Sequence, residues 1–243
     1  MEAIVLAGGL GTRLRGAIGE LPKPLAPVGG RPFLEYLLDY WIGQGVTRFV
    51  LSVGYRHEMI TAHFGAAYRG KDIQYAVEDR PLGTGGGLLL AASTVSAPGP
   101  FLVLNGDTYF EAPLGRLREF HTARRAEATL ALFRAPQDGR YLGLRVGALG
   151  EVLSLDAGEK GGLANGGVYL IERGLLDGDS GRPSAALSFE EDILPLALRG
   201  GRRLYGLECA GRFLDIGVPE DYARAAELLP DRGPETRNHG SKR

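Results

Sequence analysis

From residue 3 onward, short apolar runs alternate with stretches of helical periodicity. Residues 3–6, 49–53, 73–77, 101–104 and 129–133 read as strands, and 33–42, 58–64 and 88–92 as helices. Strands that alternate with helices have few ways to bury themselves, because each parallel strand needs a crossover and successive crossovers cover both sheet faces. The expected fold is therefore α/β, a mainly parallel Rossmann-like sheet flanked by helices, with ligands beyond the carboxyl ends of its strands. After Ala135 the pattern shifts to shorter strands with glycine turns, at 142–146, 151–155 and 167–171. That stretch predicts a small, partly antiparallel subregion completing a second pocket. Residues 188–198 predict a helix capped by Ser188, with Glu191 three residues on as in a capping box. Residues 1–230 then form one domain, and the polar stretch 231–243 is expected to be a disordered tail.

Charge and cysteine content narrow the function. Lys and Arg number 28 against 29 Asp and Glu, a net charge of -1, which leaves no basic surface of the kind that wraps nucleic acid. A membrane is not expected as a partner either, since no apolar run reaches the length of a span or a signal core. The one cysteine, Cys209, lies beside the strand-like 203–207 with no nearby His, and it reads as a core thiol in a cytoplasmic protein. The apolar helix 33–42 suits either the core or the interface of a homo-oligomer.

Directly after the first strand comes Ala7-Gly8-Gly9-Leu10-Gly11-Thr12-Arg13-Leu14. Glycines accept unusual dihedrals and leave room for an anion, so several backbone N–H groups can point at one phosphate. Arg13 adds a permanent, forked charge. The dinucleotide pattern G-x-G-x-x-G fits Gly9 and Gly11 but has Leu14 in the third place, which removes the main support for hydride chemistry. A second glycine segment, 65–71, matches G-x-x-x-x-G-K, but Asp72 replaces the Ser or Thr that would meet magnesium, and a helix rather than a strand precedes it.

With Pro22-Lys23-Pro24 following it, the glycine turn resembles the signature of the sugar-1-phosphate nucleotidylyltransferases. The likeness continues through Asn105-Gly106-Asp107, Glu159-Lys160, Asn165-Gly166-Gly167 and Asp215-Ile216-Gly217-Val218-Pro219, nearly the whole chain except the tail. The resemblance implies an enzyme in which a sugar 1-phosphate oxygen attacks the α-phosphorus of a nucleoside triphosphate and releases pyrophosphate. Two anions must meet, and cations and fixed N–H groups lower that barrier. The resemblance assigns Arg13 to the triphosphate and Lys23 to the phosphates at the reacting centre. Leu6, Ala7, Gly8, Gly9, Gly11 and Thr12 would cradle the nucleotide. Asp107 and Asp215, each following a predicted strand, would hold Mg2+, a hard ion that takes few protein oxygens and keeps phosphates as its other ligands.

On the sugar side the resemblance assigns Glu159 to hydroxyls, Lys160 to the sugar phosphate, and Gly143 and Asn165 to the pocket wall. Tyr141-Leu142-Gly143 stands where relatives carry Tyr-Gly, and Gly161 stands where many carry proline. Glu190 and Glu191 are candidates for a sugar contact or for a solvated helix face. The segment 78–86 resembles the base-binding loop, with Glu78, Pro81, Gly83 and Thr84 on the nucleotide. A carboxylate at Glu78 can accept N1–H and the exocyclic amine of guanine together, and the loop resembles the guanylyl branch, while residues 21–24, 32–40, 52–55 and 165–169 resemble its members that act on heptose 1-phosphate. The implied substrates are GTP and a sugar 1-phosphate. Mannose 1-phosphate guanylyl transfer, uridylyl or thymidylyl transfer, and a non-catalytic nucleotide-sugar sensor are the alternatives.

Overall fold

The structure, a computed structural model, describes residues 1–9, 11, 14–137, 141, 143–158, 160–177 and 186–229, with the backbone alone at 15 and 156–158. Of the expected site residues, Thr12, Arg13 and Glu159 lie outside the described residues, as do Leu142 and the expected tail 231–243.

The chain runs β1 (Glu2–Leu6), α1 (Arg15–Ile18), β2 (Pro27–Val28), β3 (Arg31–Pro32), α2 (Phe33–Gly43), β4 (Arg48–Val53), α3 (His57–Phe64), β5 (Ala67–Tyr68), β6 (Lys71–Val77) and α4 (Gly83–Ala92). It continues β7 (Phe101–Asn105), β8 (Thr108–Phe110), α5 (Leu114–Arg124), β9 (Ala128–Arg134), β10 (Gly143–Val146), β11 (Val152–Gly158), β12 (Leu163–Ile171), α6 (Leu194–Arg199), β13 (Leu204–Glu208), β14 (Phe213–Asp215) and α7 (Pro219–Leu228). One sheet has the order β11-β10-β12-β7-β1-β4-β6-β5, and β9 pairs with β12 and carries β13. The pairs β1–β4, β1–β7, β4–β6 and β9–β13 are parallel. The antiparallel part is present and continues the same sheet, because β12 pairs antiparallel with both β7 and β9.

Strand alternation divides the core into two layers. Ala3 and Val5 face the helices α2 and α3, whereas Ile4, between them, faces α4. On α2, Leu34, Leu37, Leu38 and Trp41 recur at helical spacing and are all buried, so the apolar face of this helix belongs to the core. A third cluster packs Leu14, Ile18 and Tyr36 against Tyr109, Leu214 and Ile216, which fixes the β8–β14 ribbon over the N-terminal loop. Cys209 is buried as expected, and burial pushes its thiol up.

Two local readings change, at 88–92 and at 188–198, and the rejection of a phosphate loop at 65–71 holds. The helix read at 88–92 starts at Gly83, so the glycines of the expected base-binding loop form its first turns. Glycine is a poor helix former, but here tight packing demands it: a Cβ on Gly85 would sit 2.9 Å from Ile193 Cδ1, and one on Gly87 2.6 Å from Ser52 Oγ. Segment 65–71, with its partial phosphate-loop pattern, is the end of α3 followed by the antiparallel β5–β6 pair. Ser188 does cap its helix, accepting from Glu191 N at 3.0 Å. That first turn, Phe189–Ile193, is a π-turn, and with one more residue per turn the carboxylate that reaches back to Ser188 N is Asp192, at 2.8 Å, instead of Glu191.

Candidate active site

Parallel strands deliver their carboxyl ends to one edge, and a cavity of about 330 Å³ opens there. Leu6, Ala7, Gly8, Gly9 and Gly11 line it from the end of β1, and Ser52 from the end of β4. Gly106 lies so close to β1 that a Cβ would stand 2.6 Å from Leu6 O, and its N–H donates to that oxygen at 2.9 Å. Across β1, Ala7 N donates to Ser52 O at 2.7 Å. The glycine turn is thereby stitched to both neighbouring strands before any ligand arrives.

Glu78, directly after β6, occupies one end of the cavity. Its Oε2 accepts from Leu82 N at 2.9 Å, while Ser52 Oγ stands 3.4 Å from Oε1. Burial raises its pKa against these hydrogen bonds. A Cβ on Gly8 or Gly87 would come within 2.6 or 2.7 Å of Oε1, so both glycines clear the slot for this carboxylate. Pro81, Gly83 and Thr84 line the cavity beside it.

At the other end, Lys23 Nζ donates to Asp107 Oδ2 at 2.7 Å. Asp215 Oδ1 accepts from Gly217 N at 2.7 Å, and a Cβ on Gly217 would lie 2.7 Å from Lys23 Nζ, 2.8 Å from Asp215 Oδ1 and 3.6 Å from Asp107 Oδ2. Glycine thus keeps a small cradle open where one ammonium and two carboxylates meet. Burial and the neighbouring Asp107 raise the Asp215 pKa, outweighing Gly217 N–H and Lys23. A divalent cation fits this donor set, since it would relieve the repulsion between the carboxylates. The described residues contain no group of three or more His, Cys, Asp or Glu suited to a metal.

The residues expected on the sugar side lie outside the cavity lining. Gly143 opens β10, pairing with Gly158 and Ala164. Lys160 is exposed in the turn between β11 and β12 and is not among the residues lining the cavity. Tyr141 packs its ring edge-on against Phe133 and Phe213, at 5.1 and 5.5 Å. Asn165 sits where the β12–β9 register shifts. Its Oδ1 accepts from Gly167 N at 3.1 Å, and its Nδ2 donates to the buried Tyr169 hydroxyl at 2.7 Å. Of the two glutamates, Glu191 is exposed, whereas Glu190 accepts from Thr84, Tyr169 and Asn105. Ser52, Pro24 and Asn105 also line the cavity, although the motifs that contain Pro24 and Asn105 gave those two residues no role of their own. Ser52 carried a visible signal, a polar residue inside the apolar run 49–53 at the strand's carboxyl end.

A sequence model of the nucleotidyl transferase family matches residues 2–232. A D-glycero-alpha-D-manno-heptose 1-phosphate guanylyltransferase of Aneurinibacillus thermoaerophilus is 39% identical, over 94% of this chain and 98% of its own. A mannose-1-phosphate guanylyltransferase of Mycobacterium tuberculosis is 35% identical, over 96% of this chain and 66% of its own. The crystal structure of HddC from Yersinia pseudotuberculosis complexed with GMP-PN superposes with a TM-score of 0.79 at 30% identity, over 93% of this chain and 98% of that one. No helix among the described residues is long and apolar enough to cross a membrane. The strand-end cavity and these likenesses agree, and the chain belongs to the nucleotidyl transferase family, whose members generally use a divalent metal.

Proposed function

We propose that this protein transfers GMP from GTP to D-glycero-α-D-manno-heptose 1-phosphate, giving GDP-heptose and pyrophosphate. The observation that carries the reading is the pairing of a lone carboxylate, Glu78, at one end of the cavity with Lys23 and Asp107 at the other. Glu78 is an acceptor for the N1–H and amine of guanine, an edge that uracil and thymine lack. The likeness to the heptose 1-phosphate guanylyltransferase supports the acceptor. In this reading an oxygen of the sugar phosphate attacks the α-phosphorus, the bond to the β-phosphate oxygen breaks, and pyrophosphate leaves.

The chain's own groups bind and orient. Backbone N–H groups of Gly8, Gly9 and Gly11, with Thr12 and Arg13, hold the triphosphate, and Lys23 exchanges Asp107 for phosphate oxygen. Asp107 and Asp215 hold Mg2+, which supplies charge neutralisation at the reacting phosphates. Glu159, Lys160 and Asn165 take the sugar phosphate and its hydroxyls, with Gly143 in the wall. GTP as donor implies a cytoplasmic reaction, and GDP-heptose suits a glycosyltransferase that builds a surface polysaccharide. The test is pyrophosphate release with magnesium, crossing GTP, UTP, dTTP, CTP and ATP with the 1-phosphates of heptose, mannose, glucose and N-acetylmuramate. Turnover should peak at GTP with heptose 1-phosphate. A peak at mannose 1-phosphate, the acceptor favoured by the mycobacterial likeness, would move the specificity, and no turnover in any combination would overturn the enzyme reading.

A further inference from the structure

Glu190 receives hydrogen bonds from Thr84, which lines the cavity, and from the buried Tyr169, which leads on to Asn165. Thr84 Oγ1, at the start of α4, donates to Glu190 Oε2 at 2.8 Å and accepts from Phe189 N at 2.8 Å. Tyr169 OH donates to Glu190 Oε1 at 3.0 Å, and Asn105 Nδ2 approaches the same oxygen at 3.3 Å. Tyr169 then accepts from Asn165 Nδ2 at 2.7 Å. A carboxylate only accepts, so it fixes the direction of every bond in this chain. Asn165 is left with one N–H and one oxygen lone pair for a ligand, in an orientation set from Glu190.

The strap that carries Glu190 is also pinned to α4. Leu187 O accepts from Gly85 N at 2.7 Å, Leu187 N donates to Leu82 O at 2.8 Å, and a Cβ on Gly83 would stand 2.4 Å from Leu187 O. The nucleotide-side turn therefore cannot shift without moving Glu190, and Glu190 cannot move without releasing Tyr169 and Asn165. Tyr169 is fully buried, so its hydroxyl serves the chain of contacts and not a ligand. Burial and the Glu190 charge keep it a phenol, and hence a donor.

We infer that Glu190 is a positioning residue that couples the two half-sites, through Thr84 to the nucleotide and through Tyr169 to Asn165 on the sugar side, so that each substrate favours binding of the other. The inference rests on the guanylyl-transfer reading and adds a link between its two substrates. Titration calorimetry measures it, with a non-hydrolysable GTP analogue and heptose 1-phosphate, each alone and in the presence of the other. The wild-type protein should bind the sugar phosphate at least about fivefold more tightly when the analogue is present. Tyr169→Phe cuts only the sugar arm and Thr84→Val only the nucleotide arm. In Tyr169→Phe the ratio should fall to about one while the analogue alone binds as it does to the wild type, and in Thr84→Val, which keeps the Leu187 contacts to Leu82 and Gly85 and the Asn105 bond, it should fall in part. Glu190→Gln keeps an acceptor for Tyr169 and should retain part of the ratio that Glu190→Ala loses. Folded Tyr169→Phe and Thr84→Val proteins that keep the full ratio would overturn the coupling, as would a wild type that binds both ligands with no mutual effect. Absence of binding by the wild type would overturn the functional reading, and the coupling with it.

Discussion

The two edges of the central sheet treat their carboxylates in opposite ways. At the amino edge, Glu2 accepts from Arg48 at 2.8 Å, from Ser96 Oγ at 2.7 Å and from the N–H groups of Ser96 and Ala97 at 3.0 and 3.2 Å. Burial alone would raise its pKa, but these partners win and lower it. At the carboxyl edge Glu78, and beside it Asp215 on the β8–β14 ribbon, have too few partners to offset burial, and both are raised. One edge spends its hydrogen bonds on stability. The other holds charges that a ligand or cation must complete, which is how a binding site differs from a structural ion pair.

The largest effect that sharpens this contrast lies at Asp107 and Asp215. Replacing either with Asn should lower kcat/KM by roughly 10³-fold or more in a pyrophosphate-release assay. Asp215→Asn should at the same time raise the Tm of the metal-free protein, by about 2–4 °C for each ~1 kcal/mol of repulsion removed. A drop in Tm would break the comparison. Next comes Glu78→Gln, which trades one acceptor for a donor. The preference for GTP over UTP should fall about 10- to 100-fold, in keeping with ~1–3 kcal/mol for a bidentate base contact. Initial rates with the two nucleotides measure it.

At the amino edge, Glu2→Gln should cost about 2 kcal/mol of stability with turnover unchanged, read by urea unfolding and by the same activity assay. Because the folded Glu2 pKa is depressed, its contribution is present above the ordinary glutamate range and is lost as pH falls through the folded value. Wild-type stability should therefore drop more steeply on acidification than that of Glu2→Gln. The smallest effect belongs to Cys209, where Cys209→Ala should cost about 1 kcal/mol and leave both substrate affinities unchanged.

The strands and the glycine turn after the first of them were legible because their physics is local. An apolar run marks a strand, and a glycine cluster at its end marks close backbone approach, so residues 3–6 and 8–11 could be read directly. The glycines at 83–87 misled for the same reason. Local propensity argues for a loop there, and the close contacts with Leu187 and Ser52 that accompany the helix come from residues distant in the chain. α5 passed unread because its buried face is just Leu114, Leu117 and His121 in an otherwise polar stretch. The link from Glu190 to Thr84 and Tyr169 joins residues 106 and 21 positions apart, and no periodicity encodes such a pairing.

The most direct test is a crystal structure of the protein with magnesium and a non-hydrolysable GTP analogue. The account predicts the guanine edge against the Glu78 carboxylate and the metal between Asp107 and Asp215, with Lys23 turned from Asp107 to phosphate. A nucleotide bound with its base away from Glu78, or a metal held by neither aspartate, would contradict it.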